Sequence, residues 1–162
     1  MGVRVNDEAA PGGVPRYLPI AEHGLIGDLR SVALVGTDGT IDWYCCPSFD
    51  APSVFAAILD ADRGGSFELA AAVPAKTKQF YFPDTNVLIT RFFTEDGVGE
   101  VQDFMPVNGG AVGGERHRLV RRGVWGRGPI PFPTPVAPPF YYRRPAPPVR
   151  IAGGGGGFGV PA

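Results

Sequence analysis

The stretch SVALVGTDGTIDWYCC, residues 31–46, decides the fold class because two apolar runs flank the dipeptide Asp38-Gly39. An Asp-Gly pair between two runs of strand length is one of the strongest short-range signals of a β-hairpin, since glycine accepts the positive φ angle of a tight turn. The pattern therefore predicts one strand over residues 31–36 and a second, over residues 40–46, that returns beside it.

Further short runs rich in β-branched and aromatic residues predict additional strands after this hairpin. A strand within residues 116–126, RHRLVRRGVWG, is also compatible with the pattern. Prolines recur every two or three residues through much of 127–151, which excludes a central strand there because proline cannot donate a ladder hydrogen bond. The predicted strands after the hairpin lie at residues 66–71, 78–82, 86–94 and 98–105.

One short helix is predicted between the hairpin and the later strands. Ser53 is a suitable N-cap, the apolar residues Val54, Ala57 and Ile58 follow helical spacing, and the glycines at 64 and 65 can end the element. The predicted fold class is thus all-β: an antiparallel β-sandwich with one short helix and a C-terminal part that is irregular or disrupted.

Charge and glycine-proline content divide the chain near residue 108. Residues 1–108 hold 15 acids and 7 bases, whereas residues 109–162 hold one acid and 8 arginines, together with 13 glycines and 10 prolines. Such a glycine-proline content is atypical of a folded domain. The composition predicts a flexible leader at 1–16, a sandwich domain at 17–108, and a degraded continuation of the same domain, open to disorder, at 109–162.

The apolar runs and the cysteines indicate the cellular compartment of the protein and whether it binds a metal. No run reaches the roughly 18–20 apolar residues of a membrane span, and the N-terminus lacks the apolar core of a secretory signal. Cys45 and Cys46 are adjacent, so their side chains point to opposite faces of a strand and do not bond each other. With only His23 and His117 as further soft ligands, a zinc site is not predicted. The expectation is a reduced, cytoplasmic protein without metal or cofactor.

Two long stretches carry a family resemblance. YLPIAEHGLIGDLRSVALVGTDGTIDWYCCPSFDAPSVFAAILDADRGGSFEL (17–69) and KQFYFPDTNVLITRFFTEDGVGEVQDFMPV (78–107) resemble the N-terminal domain of bacterial glycoside hydrolase family 15 enzymes of the glucoamylase and trehalase type. Ser48 departs from the family pattern, which has an arginine there. The resemblance implies a β-sandwich that precedes a catalytic (α/α)6 barrel, the expected partner domain. It further implies a truncated accessory domain, inactive alone, whose parent hydrolyses an α-glucosidic bond, with trehalose as the preferred substrate.

Asp42, Trp43, Phe49 and Asp50 are the candidate substrate-binding residues. An aromatic face can stack on a pyranose ring while a nearby carboxylate accepts hydroxyl hydrogen bonds, and the resemblance implies that this loop lies against the barrel. The alternative is structural: Trp43 as a core or interdomain aromatic, Asp42 as a surface acid, and Asp50 bound to backbone N–H groups at the start of the short helix.

No catalytic residue is assigned, although glycoside hydrolysis uses a pair of carboxylates. Glu100 and Asp103 are three residues apart on a predicted strand and therefore face opposite sides. Asp42 and Asp50 flank a proline turn and could approach each other, but nothing in the sequence marks either as an acid with a raised pKa.

Two other functions stay open. A stand-alone carbohydrate-binding module would use Trp43 to bind a sugar such as trehalose. Nucleic-acid binding through the arginine-rich tail, with Trp125, Tyr141 and Tyr142 interleaved, is disfavoured because the arginines are few and scattered among prolines.

Overall fold

The predicted hairpin lies at the centre of the first of the two main antiparallel sheets in the computed structural model, which describes residues 17–107, 117–128, 136–137, 149–152 and 155–158. The strands are β1 His23–Gly27, β2 Val32–Gly36, β3 Thr40–Cys45, β4 Ser53–Phe55, β5 Ser66–Glu68, β6 Lys76–Tyr81, β7 Leu88–Phe93, β8 Val98–Phe104, β9 Val120–Arg127, β10 Val136–Ala137, β11 Val149–Ala152 and β12 Gly155–Phe158.

The two main sheets have simple strand orders. The first sheet runs β1-β2-β3-β5-β10, with β4 also paired to β3, and the second runs β6-β7-β8-β9. Strands β11 and β12 form a separate hairpin. Every recorded strand pair is antiparallel, so the all-β antiparallel sandwich predicted from the sequence is confirmed.

The β2–β3 turn follows from its glycine. Gly39 has a φ of +88°, and a Cβ atom there would lie 2.5 Å from the Leu69 carbonyl oxygen, so both the turn and the packing require glycine. Val35 pairs with Ile41 and Leu34 pairs with Trp43, which leaves Asp42 as the extra residue of a β-bulge. The bulge re-aims the Asp42 side chain next to the sheet's first strand.

The helix predicted from Ser53 is wrong. Ser53 begins β4 and pairs with Cys45, and the chain then forms a closed loop in which the Ala56 N–H donates to the Gly64 carbonyl. The Asp60 carboxylate accepts N–H bonds from the following turn, a local alternative that competes with a helix. Among the described residues the one helical element is a 3₁₀ turn over Ile20–Glu22.

Strand β1 was not predicted, because Pro19, Gly24 and Gly27 interrupt its apolar run. The structure explains one of these glycines: a Cβ on Gly24 would lie 2.5 Å from Leu88 of the facing sheet. The close approach of the two sheets therefore requires a residue without a side chain, and the same glycine weakens the strand signal in the sequence.

Alternate residues of the strands face one another across the sandwich and form the core. β8 shows this regularly, with buried residues at every second position. A second, smaller apolar cluster contains Leu69, Phe92 and Val101. The larger cluster contains Ile26, Ala33, Val35, Ile41, Tyr44, Phe55, Leu88 and Met105.

Part of the arginine-rich segment after residue 108 belongs to the second sheet. β9 pairs along β8 from Val98↔Arg127 to Phe104↔Val120, and β10 pairs with β5 of the first sheet. Residues 1–16, Tyr141 and Tyr142 lie outside the described residues, so the three predicted segments of the chain remain predictions. No helix in the described part of the chain is long and apolar enough to cross a membrane.

Candidate functional site

Asp42 is held by a histidine from β1. The imidazole Nε2 of His23 lies 2.8 Å from Asp42 Oδ2, and its Nδ1 lies 3.0 Å from the Pro19 carbonyl oxygen; the His23 side chain is only 1% exposed. A carbonyl can only accept, so Nδ1 donates to Pro19. The contact between Nε2 and the carboxyl then needs a second proton, on the imidazole or on Asp42.

The second oxygen of Asp42, Oδ1, is buried and has no hydrogen-bond partner among the described residues. Burial raises the pKa of this carboxyl, and the hydrogen bond and charge of His23 only partly oppose that effect. Asp42 is therefore a carboxyl whose ionised form is disfavoured in the fold, a property that the sequence did not reveal.

Asp42→Asn is expected to flatten the pH dependence of stability. Because the folded pKa lies above the unfolded value of 3.8, the folded state holds a proton that the unfolded state has released. The contribution of Asp42 to stability is therefore present below 3.8 and is lost as pH rises through the folded pKa. The asparagine variant lacks this titration. Urea unfolding of the wild type and the variant at a series of pH values measures the difference in stability, and Asp96→Asn, at an exposed aspartate in the β7–β8 turn, is the matched control. Parallel wild-type and Asp42→Asn curves would contradict the assignment.

Trp43 lies on the outer face of the first sheet, half-buried. It pairs with Leu34, which pairs in turn with Leu25, so the three side chains form an apolar row across β3, β2 and β1. Trp43 is thus outside the sandwich core, next to Asp42 in sequence but packed along the sheet.

Phe49 and Asp50 lie beyond the end of β3, in the loop before β4. Phe49 is 60% exposed, and its N–H donates to the Arg30 carbonyl in the β1–β2 turn. Asp50 is exposed and accepts a 2.6 Å bond from the Ser48 hydroxyl, not from the start of a helix as the alternative proposed. The structure therefore groups the four candidates as two pairs, Asp42 with Trp43 on the strand and Phe49 with Asp50 in the loop.

A second histidine–aspartate pair was missed by sequence reasoning. Asp28 Oδ2 lies 2.8 Å from His117 Nδ1, and both side chains are 9% exposed. Burial raises the pKa of Asp28, but the bond from His117 and the N–H bonds from Ser31 and Arg30 outweigh it, so the pKa is lowered. No local signal could reveal a contact between residues 89 positions apart.

The remaining buried carboxylate is also paired. Asp103 is fully buried and bound by Arg121, whereas Glu100 lies on the other side of β8 and pairs with Arg91. The prediction that Glu100 and Asp103 face opposite sides is confirmed. The buried Asp103 and the partly buried Asp28 and Asp42 thus each contact one basic side chain.

The described residues also show how the metal-ligating side chains and the two cysteines are placed. Within those residues there is no group of three or more His, Cys, Asp or Glu side chains that could hold a metal ion. Cys45 is buried and Cys46 half-buried, and both thiols are free. Cys45 therefore packs as a small buried residue.

A family model and six curated relatives match this chain. The model is described as trehalase-like, N-terminal, and covers residues 15–129. A trehalase of Thermoplasma volcanium is 40% identical over 99 residues, which are 57% of this chain and 15% of that protein. For a trehalase of Mycolicibacterium smegmatis the identity is 39% over 91 residues, 54% of this chain and 13% of the relative.

A longer match is made with trehalase 1 of Sulfolobus acidocaldarius, 34% identical over 128 residues, 78% of this chain and 21% of that protein. The chain thus spans about an eighth to a fifth of the length of the curated relatives that it matches. No solved structure matches it significantly.

Proposed function

The chain belongs to the trehalase-like N-terminal domain family, and on this premise we propose that it serves as the accessory domain of a trehalase- or glucoamylase-type glycoside hydrolase, with trehalose as substrate. The catalytic groups would lie in a separate domain, for which the (α/α)6 barrel expected from the resemblance is the candidate. The relatives extend well beyond the matched region, which leaves room for such a domain.

The main support for an accessory role is that three enclosed carboxylates contact basic side chains of the domain itself. Asp28, Asp42 and Asp103 are each engaged by a basic side chain within the domain, and these contacts connect different strands and turns. Glycoside hydrolysis instead needs two carboxyl groups that face each other across an open substrate site. These three paired aspartates thus serve the fold.

We further propose that the loop residues Phe49 and Asp50 contribute sugar contacts in the assembled enzyme. Phe49 exposes its ring for stacking, and the exposed Asp50 carboxylate can accept sugar hydroxyls. Asp42 and Trp43 stay in the candidate set, but Asp42 is engaged by His23 and Trp43 packs beside Leu34. Of the two pairs, the loop pair is the better placed to reach a ligand.

The accessory role is tested with the purified 162-residue chain and trehalose. The chain alone is expected to release no glucose. Produced together with the part of the Thermoplasma volcanium trehalase that follows its matched segment, the chain is expected to bind that part and to yield trehalose hydrolysis. Glucose release by the chain alone, with contaminating hydrolase excluded, would overturn the accessory role.

A stand-alone carbohydrate-binding module is the second candidate, favoured by the exposed aromatic ring of Phe49 beside a carboxylate. This function predicts saturable trehalose binding by the isolated chain, measured by calorimetry. Phe49→Ala should abolish it, and Trp43→Ala tests the pair on the strand. Phe93→Ala, at an exposed aromatic on a different strand, is the control. If the isolated chain shows no saturable trehalose binding, function as a stand-alone carbohydrate-binding module is excluded.

A cytoplasmic location is part of the proposal. The free thiols of Cys45 and Cys46 support it, because free cysteines persist in reducing compartments.

A further inference from the structure

Strand β1 lies at one margin of the first sheet. Among the described residues it pairs with β2 alone, whereas β2 and β3 have neighbours on both sides. The N–H and carbonyl groups of alternate β1 residues therefore point away from the sheet, on the side that we call the β1 edge. An open edge of this kind is a template on which a strand of another chain can pair. The groups that occupy the β1 edge thus decide whether it is available to a partner.

The hydroxyl of Tyr81 occupies the middle of the β1 edge. Tyr81 is the last residue of β6, in the second sheet. Its hydroxyl oxygen accepts the Leu25 N–H at 3.0 Å, and the same hydroxyl donates to the Leu25 carbonyl at 2.8 Å. These are the two bonds that one residue of a neighbouring antiparallel strand would make to Leu25. A single phenol group thus takes the place of a partner strand at this position.

The two outer positions of the β1 edge are also occupied. Downstream, the side-chain amide of Asn86, in the β6–β7 turn, donates to the Gly27 carbonyl at 3.3 Å. Upstream, the His23 N–H donates to the Ile20 carbonyl of the 3₁₀ turn. Because alternate residues face the same side of a strand, His23, Leu25 and Gly27 are the three that face this edge. Each of them therefore has at least one edge-facing group bound within its own chain.

Charge does not protect the β1 edge. The strand reads HGLIG, without lysine, arginine, acid or proline, and its His23 imidazole is only 1% exposed and faces Asp42. The terminal strand of the second sheet, β6, carries Lys76 and Lys78 instead, and both are exposed. Edge strands commonly resist pairing through such lysines or through proline. Closure of β1 therefore depends on its hydrogen-bonded caps.

The outer face of the first sheet indicates which partner would fit an opened β1. Leu25 is 52% exposed there and lies opposite Leu34, which lies opposite Trp43. If two copies of β1 paired antiparallel with Leu25 opposite Leu25, the apolar rows of the two chains would join into one. Such a pairing is self-complementary, because each Leu25 would donate to and accept from the other across a twofold axis. A second copy of this chain thus matches β1 in both its backbone groups and its side chains.

We propose that the Tyr81 hydroxyl keeps β1 closed to a second copy of the chain, and that loss of this hydroxyl opens β1 to antiparallel pairing between two copies. The closed monomer and the open dimer satisfy the same two groups of Leu25, once through Tyr81 and once through the second chain. The hydroxyl therefore decides between the two states. Without it, the monomer leaves the Leu25 N–H and carbonyl to water, and only the dimer restores protein partners for them.

The test is sedimentation velocity of the purified 162-residue chain over a series of concentrations. The wild type is expected to stay monomeric. Tyr81→Phe, which removes only the hydroxyl, should lower the dimer dissociation constant by about tenfold or more. Tyr17→Phe is the matched control, because the Tyr17 hydroxyl also accepts a backbone N–H, that of Ala61, but in the loop between β4 and β5. This control should sediment as the wild type does.

Addition of Leu25→Lys to the Tyr81→Phe variant tests where the two copies meet. The added lysine lies on the opened strand, and pairing about the twofold axis would place two ammonium groups opposite each other. The double variant should therefore return to the monomer. A dimer, or a larger aggregate, that persists in the double variant would show that the chains associate elsewhere, and it would overturn the proposal.

Hydrogen exchange of the Leu25 amide tests the closure in the wild type itself and needs no folded variant. This amide should exchange slowly in the wild type at every concentration. In Tyr81→Phe it should exchange faster when the protein is dilute and slowly again where the dimer forms. Rapid exchange in the wild type would contradict the closure. A Tyr81→Phe protein that stays monomeric, or a wild type that dimerises as tightly as the variant, would contradict the role of the hydroxyl.

Discussion

Replacement of Arg121 by methionine is expected to lower the free energy of unfolding by about 3–5 kcal/mol, the usual cost of removing one partner from a buried ion pair. The loss is large because Asp103, fully buried on β8, would be left as an unpaired carboxyl in the sandwich interior. Burial already raises the pKa of Asp103 against the opposing charge and hydrogen bonds of Arg121. Without the arginine, only the desolvation cost remains.

Arg121 also joins the two sheets. Its Nε and Nη2 atoms donate to the Asp103 carboxylate at 2.8 and 3.1 Å, within the second sheet. Nη1 donates to the Phe67 carbonyl and Nη2 to the Gly39 carbonyl, both in the first sheet, while the guanidinium carbon lies 4.9 Å from the centre of the Phe67 ring. The methionine variant therefore also removes one donor from each of these carbonyl groups, although the Gly39 carbonyl still accepts the Leu69 N–H.

Arg122→Met is the matched control, because the next residue of β9 is exposed. It should change the free energy of unfolding by no more than about 0.5 kcal/mol, as surface substitutions usually do. Arg121→Lys should recover only part of the loss, since an ammonium group cannot reproduce the planar fork of donors. Urea titration at neutral pH measures all three variants. A loss below about 1 kcal/mol in Arg121→Met would contradict a buried pair.

The parts of the fold that the sequence predicted are those encoded by neighbouring residues. The Asp38-Gly39 turn and its flanking apolar runs define a hairpin because the turn glycine and the strand residues all act within a few positions. The strands over 66–68, 76–81, 88–93 and 98–104 were likewise detectable from β-branched and aromatic residues. Local preferences of this kind do not depend on contacts with the other sheet.

The errors occur where tertiary contacts override local preference. β1 was missed because Gly24 is required by the facing Leu88, and the same residue lowers the strand signal. The helix after Ser53 was wrong because pairing with Cys45 and the closed loop around Asp60 satisfy the backbone in another way.

Prediction of the candidate site from the sequence is limited in the same way. Asp42 and Trp43 were selected by residue type, and their placement on one strand was predictable. The partner of Asp42 was not, because His23 reaches it only through the pairing of β1 with β2 and of β2 with β3. The β-bulge at Asp42 also changes the direction of the Asp42 side chain, and no short sequence pattern predicts that bulge. Long-range pairing thus decides which carboxylates are exposed and which are engaged.

Ile26→Ala is expected to lower the free energy of unfolding by about 2–5 kcal/mol, as truncation of a buried isoleucine to alanine usually does. Ile26 is fully buried in the larger core cluster and lies in β1, the strand that the sequence did not predict. Its neighbour Leu25 is 52% exposed, and the backbone groups of Leu25 bond the Tyr81 hydroxyl, so Leu25→Ala keeps those bonds. That control variant should lose no more than about 1 kcal/mol, because little apolar area is uncovered.

The contrast between these neighbours tests the register of β1 directly. A slip of one residue would turn Leu25 into the core and Ile26 toward solvent, because successive strand residues face opposite sides. Such a slip would also move His23 away from Asp42. Thermal and urea unfolding of both variants should therefore rank Ile26→Ala as the far less stable protein. The reverse order would show that β1 is misplaced and that the pair of His23 with Asp42 does not form.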